Sequence, residues 1–456
     1  MHGTCAAREE KHVEVDVAAW CCARSGGIAS PMPPPLAPYC SPQDLPVEML
    51  VEIFALLPGT DLPSLAQACT KFHHILHTDS IWRRRCREEF GFCENLQNLE
   101  MIGMSYREVY AKLFHPYRHF LGLWPQDTEH YRTLVNVVVD GLCITGWMFG
   151  PCLNTHVNGP MQFKPSFRIR LTERKSATVQ CMEGRISRPH NHHMQIQKDR
   201  FNIQCNKTDH RTDSPTWLRE AWGLVLVQKG RHQYDCLTYR RLYLPPSHPD
   251  DLIRPGLFQA KYDPYGLKIA MLSFHGKYAR VTKITGDSNK LEIHLMHRIQ
   301  LPDGEIFRNF NELALVVQEI DEQVIQEQQQ QQEDRTEESE GHGWQSPAQP
   351  SMGESGAAAS EEQPVPFVLP AGMHSRAQNY PRTCRMCFYG VDTVTITRHG
   401  FASTRRCPGV FILFDENHFG FIWLEVKYFI LFGVQNTFQN VEAPSPQAFL
   451  EMLKNI

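Results

Sequence analysis

The stretch DLPVEMLVEIFALLPGTDLPSLAQACTKFHHILHTDSIWRRRC, residues 44–86, predicts three short helices that pack as one unit. The first helix carries apolar residues at the three- and four-residue spacing of an amphipathic helix: Leu45, Met49, Leu50, Ile53, Phe54 and Leu57. Pro46 suits its first turn, where no backbone N–H is needed, and Pro58 ends it. Because about forty residues bury too little apolar surface to fold alone, we expect this unit to pack against other parts of a complex or chain.

This helical unit resembles an F-box in three features: the Leu45–Pro46 start, the helix spacing, and the Ile81–Trp82 pair that opens the third segment. The F-box docks its first helices on the Skp adaptor of a cullin-based ubiquitin ligase. The resemblance therefore implies an adaptor surface on the first two helices, formed by Leu45, Pro46, Leu50, Ile53, Phe54, Leu57, Leu62 and Leu65. An ordinary helical hairpin at a domain start is the alternative interpretation.

The composition limits the class of protein. The chain has 456 residues, a formal net charge of −4, 42% hydrophobic and 21% charged residues, and a sequence pI near 6.6. These values argue against a nucleic-acid-binding or membrane-surface protein, and no apolar run has the length of a membrane span. The first residues also lack the apolar core of a signal peptide, so we expect an intracellular protein. Its 15 cysteines are then expected to be thiols or metal ligands.

Changes in sequence character predict an α+β protein, in which a three-helix F-box is followed by a mainly antiparallel, β-barrel-like domain. Short runs rich in β-branched and aromatic residues, such as LKIAMLSFHG and KLEIHLMHRI, predict the strands. A run of five glutamines among acidic residues predicts a long disordered insertion within the β domain. The predicted segments are a disordered start (1–43), the F-box (44–90), a helical connector (91–120), the first part of the β domain (121–320), the insertion (321–365) and the last part of the β domain (366–456).

A cluster of cysteines and histidines in residues 180–210, QCMEGRISRPHNHHMQIQKDRFNIQCNKTDH, is a candidate zinc site. Two loops joined by a sheet can supply the four Cys and His ligands that structural zinc prefers. Cys181 ends a predicted strand, and Cys205 and His210 flank a predicted turn. A second turn offers His190, His192 and His193. A solvated His-rich loop is the alternative interpretation.

A second cysteine cluster lies in TCRMCF, residues 383–388. Its CxxC pair, Cys384 and Cys387, suits either zinc or redox chemistry, and His399 and Cys407 follow downstream. The sequence around the pair lacks the strand–CxxC–helix pattern of a thioredoxin-like motif. We therefore expect free thiols in a β-rich region.

Long runs of sequence give a more specific resemblance. The segments LLPGTDLPSLAQACTKF (56–72), LVNVVVDGLCITGWM (134–148), CLTYRRLYLPPSHPDDLIRPGLF (236–258), RTCRMCFYG (382–390) and APSPQAFLEMLKNI (443–456) resemble the F-box only protein 31 family. The resemblance covers nearly the whole chain after its start. It implies one structural zinc per chain on Cys181, His190, Cys205 and His210, with His192 as the main competitor for the second position. His210 stands where the family has two adjacent histidines, and the second position here is Arg211.

The same resemblance implies the function of a non-catalytic receptor. Such a receptor binds the Skp adaptor and cullin scaffold of an SCF-type ubiquitin ligase. It captures C-terminal tails of D-type cyclins and of C-terminally amidated damaged proteins, in cell-cycle arrest after DNA damage. The implied location is cytoplasmic, with nuclear and centrosomal pools. Two alternatives are a scaffold that uses the F-box without a ligase and a zinc-dependent hydrolase, for which Glu183 and Asp209 are the close acids.

Overall fold

The structure is a computed structural model that describes residues 41–92, 99, 103–128, 132–150, 157, 162–172, 174–182, 190–206, 236–263, 266–276, 278–286, 290–299, 310–337, 364–369, 371–376, 379–398 and 401–435. Residues 1–40 of the predicted disordered start and all residues after 435 therefore lie outside the described residues. None of the helices in the described ranges is both long enough and apolar enough to cross a membrane.

Residues 41–92, all of which are described, form a helical module. After a 3₁₀ turn (Pro42–Asp44), its helices are α1 (Val47–Leu56), α2 (Leu62–Ala68), α3 (Thr70–Ile75) and α4 (Asp79–Phe90). The predicted second helix is thus two helices, because Cys69 is extended (φ −161°, ψ 161°) and its Sγ accepts the Phe72 N–H at the start of α3. Gly91 ends α4 in the left-handed conformation (φ 68°), which glycine adopts without a Cβ clash.

A helical connector follows the module, as predicted. It comprises α5 (Tyr106–Val109), a π-helical turn (Tyr110–Phe114), α6 (His115–Tyr117) and a 3₁₀ turn (Arg118–Phe120). Ser105 and Glu108 begin α5 with a reciprocal capping box, which satisfies backbone N–H groups that have no partner within the helix. Tyr110 packs on Trp82 of α4, with ring centroids 5.0 Å apart.

Barrel one occupies residues 122–240. Within its described residues, eight antiparallel strands lie side by side in chain order: β1 (Gly122–Pro125), β2 (Leu134–Asp140), β3 (Cys143–Gly150), β4 (Gln162–Leu171), β5 (Ala177–Cys181), β6 (His190–Ile196), β7 (Arg200–Cys205) and β8 (Leu237–Arg240). The last strand returns to the first: Asp127 N–H donates to Thr238 O (2.8 Å) and Leu242 N–H to Leu123 O (2.8 Å). The sheet therefore closes as an up-and-down meander.

Barrel two occupies residues 256–434. In the described parts of this range, eight strands form its wall: β9 (Gly256–Asp263), β10 (Gly266–His275), β11 (Tyr278–Lys283), β12 (Lys290–Ile299), β16 (Met386–Arg398), β17 (Phe401–Leu413), β18 (His418–Trp423) and β19 (Tyr428–Val434). Pairing of β19 with β9, for example Phe432 with Ala260, closes the wall. Three two-residue strands lie between β12 and β16 in sequence: β13 (Val365–Pro366), β14 (His374–Ser375) and β15 (Thr383–Cys384).

The antiparallel, barrel-like fold class is confirmed, with one difference in organisation. Sequence reasoning placed 121–320 and 366–456 in one β domain, whereas the hydrogen bonding forms two barrels. The barrels meet where Arg132 and Gly286 exchange backbone hydrogen bonds of 2.7 and 3.0 Å. An apolar cluster that includes Leu134 of barrel one and Met271 of barrel two fills the same junction.

A helix enters the segment 321–365, for which the sequence predicted an insertion. Helix α7 (Phe310–Glu337) passes through the predicted boundary at residue 321 and includes the glutamine run. Val317 of α7 is fully buried against barrel two. Asp321 makes a bidentate ion pair with Arg406 of β17, with Nε–Oδ2 at 2.7 Å. Because these contacts hold the helix to the barrel, its first half belongs to the fold; residues 338–363 lie outside the described residues.

Candidate functional site

An apolar stripe on α1 faces solvent. Its members, Met49, Ile53 and Leu56, are 52, 40 and 63% exposed. Met49, Ile53 and Leu56 recur at positions i, i+4 and i+7, so they lie along one side of the helix. Contiguous exposed apolar side chains of this kind mark interaction sites. We call these three residues the α1 stripe.

Charged side chains fix the helix that carries the stripe. Arg84 of α4 contacts Glu52 of α1 (Nη1–Oε2, 3.3 Å) and Glu88 of its own helix (Nε–Oε1, 2.8 Å). Lys71 Nζ donates to the backbone carbonyl of Leu45 (2.9 Å), just before α1 begins. The stripe is therefore bordered by polar contacts that orient α1 on the rest of the module.

A cysteine–histidine cluster lies at one end of three adjacent strands of barrel one. Cys181 ends β5, His192 lies within β6 and Cys205 ends β7. One ligand atom from each of the three residues lies within 4.8 Å of the other two. The register explains this meeting, since His192 pairs directly with Cys205 across β6 and β7, and Cys181 belongs to the next strand.

The donor set of this cluster fits zinc. Zinc binds thiolate sulfur at about 2.3 Å and imidazole nitrogen at about 2.0 Å in a tetrahedron, so its ligand atoms lie within about 4 Å of one another. Cys181 is buried, and His192 and Cys205 are half-buried, which suits a closed site at a strand end. The three side chains can hold three corners of such a tetrahedron.

A continuous joint connects the helical module to barrel one. One apolar core runs from the module through the connector into the barrel, where Phe120 packs on Phe201 with ring centroids 4.9 Å apart. On the surface, Lys175 Nζ of the β4–β5 turn donates to Glu108 Oε1 of α5 at 2.6 Å. This hydrogen bond holds the pKa of Glu108 below its usual range. The module and the barrel are thus attached through both buried and polar contacts.

Comparison with known proteins gives this arrangement a family. Residues 42–88 match the F-box-like family, and residues 239–437 match the family described as Cyclin D1 binding domain. F-box only protein 31 of Homo sapiens is 55% identical over 98% of this chain and 92% of its own length. F-box only protein 31 of Rattus norvegicus is 56% identical (91% and 89%), and F-box only protein 31-A of Xenopus laevis is 48% identical (90% and 88%). The chain belongs to the F-box only protein 31 family.

The match to the F-box-like family confirms the helical module. The burial of its side chains shows which of them are exposed for contact with a partner. Leu50, Phe54 and Leu62, predicted to bind the adaptor, are 1, 4 and 1% exposed and form the core of the module. In the chain alone these three side chains serve the core, and their contact with the adaptor stays a prediction. Leu45, Leu57 and Leu65 are half-buried against that core, whereas Pro46 and Ile53 are exposed.

Sequence reasoning missed Met49 and Leu56 of the α1 stripe. The signal was present in the helical spacing, since Leu50 and Phe54 define one stripe and Met49 and Ile53 define a second stripe beside it. Treating both stripes as one apolar face placed core residues on the adaptor surface. In this chain, α1 of the F-box-like module therefore has two apolar faces. One face packs in the core, and the other is exposed to solvent.

The structure brings together three of the zinc candidates. Cys181 and Cys205 meet as predicted, and the histidine in their cluster is His192 rather than His190, the first choice. His190 pairs with Cys181 across β5 and β6, and His193 is exposed on the other face of β6. The predicted turn at these histidines is in fact strand β6. His210, Glu183 and Asp209 lie outside the described residues, so the fourth ligand stays a prediction.

The second cysteine cluster divides between two faces of the barrel-two wall. Cys387 lies on the outer face of β16, with Val391 and Ile412. Cys407 pairs with Asp392, five residues further along β16 and therefore on the opposite face. A single site containing Cys384, Cys387 and Cys407 is thus not formed, and His399 lies outside the described residues.

Proposed function

We propose that this chain is the substrate receptor of an SCF-type ubiquitin ligase and makes or breaks no bonds itself. The observation that carries the proposal is the exposed α1 stripe on an F-box-like module that is joined to a separate closed barrel. One surface is then available for the ligase and another domain for the substrate.

The α1 stripe is the proposed contact with the Skp adaptor. Each of its side chains that becomes fully buried in the complex contributes up to about 1.5–3 kcal/mol from removal of apolar surface from water. Glu52, beside the stripe, is 76% exposed at its side chain and forms part of a polar rim. The cullin scaffold would bind through the adaptor.

Barrel two is the proposed substrate domain, and D-type cyclins are the proposed substrates, bound through their C-terminal tails. The match of residues 239–437 to the Cyclin D1 binding domain family supports this proposal. Aromatic side chains fill the barrel interior; Phe419, for example, stacks on Phe432 with ring centroids 4.4 Å apart. A tail would therefore bind on the outside or at an end of the barrel. C-terminally amidated damaged proteins are a second proposed substrate class.

The proposed mechanism is proximity. A receptor raises the effective concentration of a substrate lysine at the ubiquitin-charged E2, which the RING subunit holds. This works only if the adaptor surface and the substrate domain keep a fixed separation. The continuous core through Phe120 and the Lys175–Glu108 contact join the module to barrel one. The Arg132–Gly286 backbone pair and the shared apolar cluster then join barrel one to barrel two.

A structural zinc ion is the proposed cofactor. Cys181, His192 and Cys205 would hold it, with His210 as the proposed fourth ligand. A zinc ion closed by four protein ligands supplies folding free energy and no catalysis. Its effect here would be to tie together the ends of β5, β6 and β7, the last strands before the long β7–β8 connection.

We further propose a setting for this activity. The receptor would act in cell-cycle arrest after DNA damage, in the cytoplasm with nuclear and centrosomal pools. Imaging of the tagged chain before and after damage tests this proposal, because a chain confined to a membrane compartment would contradict it.

Affinity purification of the full chain from cells with blocked proteasomes tests the receptor proposal. We expect to recover the Skp adaptor, the cullin and a D-type cyclin together. Recovery of the adaptor without the cullin would instead support a scaffold outside a ligase. A matched control is Arg87→Glu, an exposed charge reversal on α4 of the same module, which should leave recovery unchanged.

A further inference from the structure

Three exposed histidines lie at the carboxyl end of α3 in the helical module. His73 and His74 belong to the last turn of α3, and His77 follows the helix by two residues. They lie in a different part of the chain from the cysteine–histidine cluster of barrel one, and none of them belongs to the α1 stripe. Because neutral imidazole is the commonest metal ligand in proteins, the three side chains are candidates for a metal site of their own.

Two of the three rings face each other. His73 and His77 are four residues apart, so their side chains lie on one side of the chain across one helical turn. Their ring centroids are 4.6 Å apart and their planes are tilted by 51°. The ring of His74 lies farther from His73, at 5.9 Å, and is nearly perpendicular to it. The pair that can share one ion is therefore His73 and His77, in the i and i+4 arrangement by which two histidines of one helix bind a metal.

A backbone contact orients the His77 ring. Its Nδ1 lies 2.7 Å from the backbone carbonyl oxygen of His73. Since a carbonyl oxygen only accepts, Nδ1 carries the proton and donates the hydrogen bond, which leaves the lone pair of the neutral ring on Nε2. Metal-binding histidines commonly donate their second ring nitrogen to a carbonyl in this way, and the bond fixes both the tautomer and the ring direction. His77 is thus prepared to bind an ion through Nε2.

The spacing of the two rings indicates the coordination geometry. An ion about 2.0–2.1 Å from an imidazole nitrogen lies about 3.2 Å from the centre of that ring. Two rings on one ion are then about 4.5 Å apart when the two bonds meet at a right angle, and about 5.2 Å apart at the tetrahedral angle. The observed 4.6 Å matches the right angle. Right angles are typical of the square-planar and tetragonal sites of Cu²⁺ and Ni²⁺, whereas structural zinc is tetrahedral.

We propose that His73 and His77 bind one Ni²⁺ or Cu²⁺ ion, with water molecules at its remaining positions. The ion would join the last turn of α3 to the residue just before Thr78, the N-cap of α4. A metal that binds the folded chain and not the unfolded chain stabilises the fold. Occupancy of the site would therefore stiffen the α3–α4 connection of the module, independently of the zinc ion proposed for barrel one.

Chemical modification of histidine by diethylpyrocarbonate gives a readout at each ring. Trypsin releases the peptide FHHILHTDSIWR (72–83), which contains all three histidines and whose fragment ions distinguish them. Ni²⁺ alone is the probe, because the 15 cysteines of the chain would reduce Cu²⁺. We expect Ni²⁺ to remove most of the modification of His73 and His77 in the full chain and to leave that of His74 unchanged. The same concentration of Zn²⁺ should protect the pair less.

Three variants link the protection to the pair. His73→Gln should weaken the Ni²⁺ protection of His77 at least about tenfold, and His77→Gln that of His73, because each variant loses one of two protein ligands. His74→Gln, at an exposed neighbour on the same helix, is the matched control and should keep the wild-type affinity. The proposal is overturned if Ni²⁺ protects the three wild-type histidines equally or not at all, or if Zn²⁺ protects the pair more strongly. These wild-type measurements decide the question even if a variant fails to fold.

Discussion

Trp423 Nε1 donates a 2.8 Å hydrogen bond to Asp392 Oδ2 inside the wall of barrel two. Asp392 is 0% exposed, and its other oxygen, Oδ1, has no hydrogen-bond partner among the described residues. Burial raises the pKa of Asp392 to about 6, and the Trp423 bond only partly offsets this effect. An ionised carboxylate at this position therefore costs stability at neutral pH.

Asp392→Asn should stabilise the protein at neutral pH, because the amide keeps an acceptor for Trp423 and removes the charge. The protonated acid favours the fold, so its contribution is fully present below about pH 4 and is lost as the pH rises through about 6. The full difference corresponds to about 3 kcal/mol, an upper limit for the gain. Urea unfolding should show a gain at about pH 7.5 that shrinks by about half at pH 5. Asp250→Asn, at an exposed position, is the control; an equal gain there would contradict the explanation.

Adjacent residues of α1 should separate binding from stability. Ile53→Glu, on the α1 stripe, should change the free energy of unfolding by less than about 0.5 kcal/mol but weaken adaptor binding at least about 30-fold. Phe54→Ala, in the core, should destabilise the module by about 3–5 kcal/mol. Calorimetric titration and thermal unfolding of both variants measure the two effects. Normal adaptor affinity in Ile53→Glu would place the adaptor surface elsewhere.

Metal analysis of the purified chain should give about one zinc per molecule. His192→Ala and Cys205→Ala should each remove most of this zinc and lower the melting temperature, since the proposed metal would tie β6 to β7. His190→Ala is the matched control, with the same residue change two positions along the strand. Retention of zinc in His192→Ala together with its loss in His190→Ala would restore the sequence-based choice. Chelator treatment of the wild-type chain should reproduce the loss of stability.

The acidic insertion should have a sharp structural boundary. Deleting residues 338–363 should leave the melting temperature unchanged within about 2 °C, because the composition there cannot bury enough apolar surface to pack. Asp321→Ala should destabilise the protein by about 1–2 kcal/mol, since it leaves Arg406 without its buried partner. Glu322→Ala, exposed on the next position of α7, is the control. A large loss of stability in the deletion would show that the segment packs.

A structural feature of this chain could be predicted from the sequence when the residues that determine it lie close together along the chain. Local signals were sufficient for α1, whose spacing and flanking prolines define it. Closure of barrel two could not be predicted from the sequence, because the pairing of Phe432 with Ala260 joins strands that are far apart along the chain. The antiparallel, barrel-like fold class is compatible with either one barrel or two barrels until the long-range strand pairs are known.

The candidate sites show the same limit. Cys181 and Cys205 were found from residue type, but the choice of His192 depends on the register of β6 with β7. A turn at Lys198 and Asp199 sets that register, and the histidines had been assigned to a turn of their own. Likewise, the separation of Cys407 from Cys387 follows from strand alternation, which applies only once β16 and β17 are recognised as paired.

Reconstituted ubiquitin transfer tests the receptor proposal most directly. The purified chain is combined with the Skp adaptor, cullin, RING subunit, charged E2 and a D-type cyclin, and conjugation to the cyclin is followed with time. We predict that conjugation requires the wild-type chain and is lost with the double variant Met49→Glu and Ile53→Glu, while Arg87→Glu supports it fully. Conjugation that is equal with and without the chain, or unaffected by the double variant, would contradict the account.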